Sequence, residues 1–124
     1  MNVLLSIKPE FIDLIVSGEK QYEFRRTIFK RKDVSTIIVY ATTPVSRVVG
    51  EFEVDYILCK DVNSLWEETK SFAGVDEDFF FNYFNNKEMG YAIKIKNYNQ
   101  YPEHKKLIDI YQSPPPQSFA YITV

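Results

Sequence analysis

Gly18-Glu19-Lys20-Gln21-Tyr22-Glu23-Phe24-Arg25-Arg26 joins two different periodicities. Before it, Phe11, Ile12, Leu14, Ile15 and Val16 recur at helical spacing, with Pro9 suited to the first turn and Gly18 to the residue that ends the helix. After it the period falls to two. Tyr22 and Phe24 alternate with Glu23 and Arg25, which is the rhythm of a strand. Glu23 and Arg25 then share one strand face, and Lys20, in the turn, leans over it. A cation, an anion and a second cation converge where a helix hands over to a strand.

Working outward, Asn2 to Ile7 reads as a strand ahead of the helix Pro9 to Ser17. Lys20 to Phe29 is a second strand or hairpin arm, and Lys30-Arg31-Lys32-Asp33 a polar turn. Ser35 to Ala41 contains the unbroken run Ile37-Ile38-Val39, which suits a strand covered on both faces. Arg47 to Leu58 alternates, with Gly50 marking a bulge. Ser64 and Glu67 match a capping box for a helix reaching about Phe72 and stopping at Gly74. Asp76-Glu77-Asp78 places acids where the next helix begins, and Phe80, Tyr83 and Phe84 form its apolar stripe. Tyr91 to Ile95 is expected as a strand, Lys105 to Tyr111 as another, and Phe119 to Val124 as the last. Strands and helices in no regular alternation indicate an α+β fold around a small curved sheet or barrel.

Composition narrows the function. A chain of 124 residues is expected to form one domain over residues 1–124. No apolar run is long enough for a membrane span, and no basic segment followed by an apolar stretch opens the sequence, so a cytoplasmic protein is expected. Cys59 is the only cysteine and His104 the only histidine, so neither an internal disulfide nor a Cys/His zinc cluster can form. His104 reads as solvated in a loop. No cofactor or metal is expected, because there is no Gly-rich phosphate loop and no Ser/His/Asp set.

The formal net charge of −2 hides an asymmetry. Residues 1–50 carry eight Lys or Arg against five acids, and residues 51–124 seven against twelve. Lys20, Arg25, Arg26, Lys30, Arg31 and Lys32 form the densest basic stretch, opposed inside only by Glu23. Such a patch suits phosphates or a solvated hairpin, and the global acidity argues against strong non-specific nucleic-acid binding. Phe79-Phe80-Phe81, Tyr83 and Phe84, at helical spacing, read as core. Trp66 reads as an anchor, and Tyr22, beside the basic motif, as the better stacking candidate.

The Gly-x-Lys-x-x-Glu-x-Arg core resembles the ASCH domain, a branch of the PUA-like superfamily. The resemblance begins at Leu4-Leu5-Ser6-Ile7-Lys8-Pro9. It continues through Val39-Tyr40-Ala41-Thr42-Thr43-Pro44, Val48-Val49-Gly50-Glu51-Phe52, Gly90-Tyr91-Ala92-Ile93 and Pro115-Pro116-Gln117-Ser118-Phe119. It implies a PUA-like small β-barrel with flanking helices and a cleft that takes RNA or a nucleotide-like ligand. In that cleft Lys20 meets a phosphate or carbonyl oxygen, Glu23 accepts from an amine or ring N–H, and Arg25 holds Glu23 ionised or forks onto phosphate. Arg26, Tyr22, Thr42 and Ser118 complete the expected ligand set, with Gln117 and Phe119 beside Ser118. One branch of small ASCH proteins deacylates N4-acylated cytidine, which makes an amidohydrolase using Lys20 and Glu23 the alternative. That branch's threonine falls on Glu23 here, so Thr42 or Thr43 would have to replace it. Its distant glutamate is matched by Glu51 or Glu53. Binding, with a regulatory role, is therefore placed ahead of catalysis.

Overall fold

Pro9 fills the first helical position and Gly18, at φ 85°, reverses the chain after Ser17. Between them runs α1 (Pro9–Ser17), and the Gly18 N–H closes onto the Ile15 carbonyl at 3.1 Å. Glycine adopts that left-handed conformation without the backbone strain it imposes on an L side chain. Lys20 then bonds back through its N–H to the Leu14 carbonyl at 3.0 Å, which turns the chain inward. The computed structural model describes residues 1–123.

Six strands form one sheet: β1 (Asn2–Ile7), β2 (Tyr22–Arg25), β3 (Thr36–Ala41), β4 (Arg47–Asp61), β5 (Met89–Lys105) and β6 (Phe119–Ile122). Their order is β2-β5-β4-β3-β1-β6. Among the described residues, only β1 and β3 pair in parallel. Ile37, Ile38 and Val39 are buried on both faces of β3, as their unbroken run predicts. Gly50 sits at a register shift between β4 and β5, where a Cβ would come within 2.6 Å of the Tyr98 hydroxyl.

The expected barrel is an open sheet that curls without closing. Laid flat, five strand spacings of about 4.8 Å would hold the two edges roughly 24 Å apart. Instead Arg25, at the end of β2, donates Nη2–H to the Ser118 carbonyl beside β6 at 2.7 Å. Thr27 and Ser118 bring their hydroxyls to 3.3 Å, and the Tyr121 hydroxyl accepts the N–H groups of Lys30 and Arg31. Side chains lace this gap; no ladder joins β2 to β6 among the described residues.

Other boundaries differ from expectation for local reasons. The helix α2 (Val62–Thr69) begins earlier because Asp61, not Ser64, is its cap, accepting from the Ser64 N–H at 3.0 Å. A 3-10 turn over Lys70–Phe72 follows, and α3 (Glu77–Tyr83) is capped by Asp76 as read from its acids. β5 runs through the polar segment after Ile95, which has no apolar alternation but keeps its ladder with β4, and it carries His104, exposed, within a strand. The expected strand over Lys105 to Tyr111 is instead a 3-10 turn at Leu107–Asp109, whose first residue Leu107 and following Ile110 pack beside Leu4, Ile38 and Val48. Of the last expected strand, Phe119–Ile122 forms and Val124 lies outside the described residues.

One apolar cluster packs α1 on the sheet through Ile12, Ile15, Val39, Phe52 and Ile93. A second gathers Tyr22, Phe24, Leu65, Phe80 and Phe84 between β2 and the helices α2 and α3. The cleft opens where these two bodies meet.

Candidate functional site

Lys20 is 3% exposed although it carries an ammonium group. Its Nζ donates to the Ala73 carbonyl at 2.8 Å and lies 5.2 Å from the Phe11 ring centre and 4.9 Å from that of Phe24. Two ring faces and one carbonyl thus replace water around the charge. Lys20 enters none of the four ion pairs among the described residues. Burial holds its pKa below the ordinary lysine value of 10.5, and the Glu23 carboxylate opposes this only in part.

Glu23, 6% exposed, has its charge balanced by Arg25, whose Nη1 donates to Oε2 at 3.1 Å. Arg25 also holds Ser118, so one guanidinium fixes both the carboxylate and the chain segment before β6. The alternation of β2 thus places Glu23 and Arg25 together, and the turn after Gly18 brings Lys20 to the same wall. These three border a cavity of about 160 Å³ whose lining is completed by residues such as Ser6, Lys8, Phe11, Phe24, Phe79 and Tyr83. Tyr83 donates its hydroxyl to the Phe24 carbonyl at 3.1 Å, which pins α3 over β2.

Four expected ligand residues lie elsewhere. Tyr22 points away from the cavity, its hydroxyl 3.1 Å from that of Tyr56, and burial with this contact pushes its pKa up to about 12. Arg26 donates to the carbonyls of Tyr83 and Asn85 at 2.8 and 2.9 Å and so caps the end of α3. Thr42 belongs to a turn: its N–H reaches the Ile7 carbonyl, and its own carbonyl accepts from Val45 and Ser46. Ser118 touches the site through its carbonyl on Arg25, not through a side chain lining the cavity. In the basic turn, Arg31 is engaged bidentately by Asp33, leaving Lys30 and Lys32 exposed.

Reading the sequence missed the aromatic lining. Phe79, assigned to the core with its neighbours, is 41% exposed and meets Phe11 edge-to-face at 5.5 Å. Phe80 and Phe84 are core. The signal was present in phase: one residue off the Phe80–Phe84 stripe turns Phe79 toward the cleft mouth. Lys8, exposed at that mouth, belongs to the segment that resembles the family, but nothing in its spacing gave it a role.

The fold and cavity define an α+β domain with an open curled sheet and a small polar-and-aromatic cleft. A sequence profile described as the ASCH domain matches residues 5–112, and the chain belongs to that family. It is 35% identical over 97 residues to an ASCH domain-containing ribonuclease of Zymomonas mobilis, covering 78% of this chain and 66% of that protein. It is 24% identical over 122 residues to a large ribosomal subunit protein uL22 of Ureaplasma parvum, covering 98% of this chain but 39% of that one. The crystal structure of ASCH from Zymomonas mobilis superposes with a TM-score of 0.89 at 32% identity, covering 98% of this chain and 87% of that one. No helix among the described residues is long and apolar enough to cross a membrane.

The buried lysine makes a pH prediction. Below its lowered pKa, folded and unfolded chains both hold the proton and the buried ammonium opposes folding in full. Between that value and 10.5 the unfolded chain holds more of the proton, so the Lys20 contribution to stability rises with pH. Urea midpoints of the wild type and of Lys20→Met, taken from about pH 7 to about pH 10, should therefore shift relative to each other in the wild type's favour. Tyr22 titrates alike in both and cancels. A difference that does not vary with pH would show that Lys20 titrates as an exposed lysine.

Proposed function

We propose that this chain binds RNA and takes one base into the cavity beside Lys20, Glu23 and Arg25. The observation that carries this reading is the arrangement of the three charges: a buried ammonium in no direct ion pair and an Arg-held carboxylate on the wall of an aromatic pocket. An ammonium donates to a base carbonyl or ring nitrogen, and a carboxylate accepts from an amine or ring N–H. Phe11 and Phe79 offer ring surface to an unstacked base, the way single-stranded RNA is commonly read. The backbone passes over Lys8, Lys30 and Lys32, which are exposed, while Arg25 and Arg26 hold the protein's own chain. The relative named as a ribonuclease supports an RNA partner. A regulatory role would act through this same contact.

A labelled single-stranded RNA pool titrated at two salt concentrations tests this. Glu23→Gln should weaken binding about tenfold or more, since good base contacts are worth about 1–3 kcal/mol. Lys8→Ala, Lys30→Ala and Lys32→Ala together should flatten the salt slope by roughly one unit for each phosphate no longer neutralised. Absence of binding at low salt, or a triple variant with an unchanged slope, would overturn the reading.

A second reading is favoured by one observation, the lowered pKa of Lys20. An amine that burial makes readier than an exposed lysine to give up its proton can take one from a ribose 2′-hydroxyl, which then attacks the adjacent phosphate and expels the 5′-oxygen of the next nucleotide. RNA cleavage leaving 2′,3′-cyclic phosphate ends, abolished in Lys20→Ala, would establish it. Deacylation of N4-acylated cytidine finds less support, because Thr27, Thr42 and Thr43 are absent from the cavity lining and the Ser6 hydroxyl is committed to the Pro116 carbonyl at 2.8 Å.

A further inference from the structure

The geometry points to a covalent chemistry at Lys20: capture of a small aldehyde as an imine. Lys20 lines the cavity, and its Nζ sits between two phenyl rings with one hydrogen bond, to Ala73. Glu23, the nearby carboxylate, is bound by Arg25 and makes no ion pair with Lys20. A buried ammonium whose nearest carboxylate is taken by Arg25 releases its proton more readily than an exposed one, so a larger fraction of the amine carries a free lone pair. Surface lysines lack this push. Lys60 and Lys70 are paired with Glu68 and Glu67, and the Glu67 contact raises the pKa of Lys70.

The neutral amine adds to the aldehyde carbon, forming a C–N bond and a carbinolamine. The carbinolamine then loses its oxygen as water, with both hydrogens supplied from the former amine, and a C=N bond remains. Glu23, which lines the same cavity, would relay a proton from nitrogen to the departing oxygen. The surrounding phenyl rings limit the access of water that would reverse the step. They also define the ligand class: an aldehyde on a small aromatic or aliphatic body that Phe11, Phe24 and Phe79 can cover. The inference shares the cavity with the RNA reading but does not require RNA to enter it.

Benzaldehyde with cyanoborohydride at about pH 7 supplies the test, since reduction turns the imine into a stable secondary amine. Intact mass and peptide mapping then locate the adduct. Lys20 should be labelled about tenfold faster than Lys32 or Lys70, because burial between the rings keeps more of it in the neutral, nucleophilic form. That preference should vanish in urea, and Phe79→Ala should reduce it without unfolding the chain. In Lys20→Arg, with its far-ultraviolet circular dichroism retained, the fast adduct should be missing. Native labelling that spares Lys20, or matches its rate to that of Lys32, would overturn the proposal. RNA titrations on the same preparations keep the two readings separate, because labelling and RNA binding can each fail while the other stands.

Discussion

Replacing Phe80 by Ala is expected to lower stability by about 3–5 kcal/mol, the range for removing a buried phenyl ring. Phe80 is 1% exposed. Its ring centre lies 5.0 Å from Phe24, 5.0 Å from Trp66, 5.1 Å from Phe81 and 4.9 Å from Phe84. A void there removes several edge-to-face pairings at once, beyond the apolar area returned to water. It also loosens Phe24, whose ring supports Lys20. Urea unfolding should show a lower midpoint with an unchanged slope. A destabilisation under about 1 kcal/mol would mean that the neighbours close the void.

Gly74→Ala should cost about 2–5 kcal/mol, although it adds a single methyl group. Gly74 has φ 69°, where an L side chain is strained by about 1–2 kcal/mol. The added Cβ would lie 2.5 Å from the Lys20 Cβ and 2.7 Å from its Cγ, so either the turn or the lysine stem must move. Overpacking of this kind costs about 1–3 kcal/mol more. The adjacent Ala73 carbonyl holds the Lys20 Nζ, so the same change should displace the ammonium and weaken the RNA binding proposed for this cavity. Gly18→Ala serves as the control. It shares the positive φ but has open space around the Cβ, so it should show only the backbone strain and leave the cavity intact. Equal destabilisation in the two variants would show that crowding against Lys20 contributes nothing.

What the sequence determined by itself is what depends on neighbours along the chain. Pro9 and Gly18 bounded α1, the alternation from Tyr22 to Arg25 put Glu23 and Arg25 on one face, and Ile37-Ile38-Val39 marked a strand covered twice. Asp76 and the acids after it marked α3. Where the apolar period was missing, as in β5 beyond Ile95, the boundary could not be read, because that polar ladder is held by pairing with β4. Ser64 and Glu67 matched a cap, but Asp61 starts the helix one turn earlier by accepting from the Ser64 N–H, which leaves Ser64 inside the helix.

The tertiary structure decided the state of the site. Glu23 standing beside Lys20 in sequence suggests a charged, paired lysine, yet Glu23 is taken by Arg25 and the lysine is buried against Ala73, Phe11 and Phe24. Whether Arg26 was free to meet a phosphate depended on the end of α3, and whether Phe79 was core depended on which side of that helix met α1. The decisive contacts join residues 53 apart, Lys20 to Ala73, and 93 apart, Arg25 to Ser118. Spacing along a chain governs which side chains share a face. It does not govern which distant carbonyl, ring or carboxylate meets that face, and the charge of a buried lysine depends on those partners and on the water they exclude.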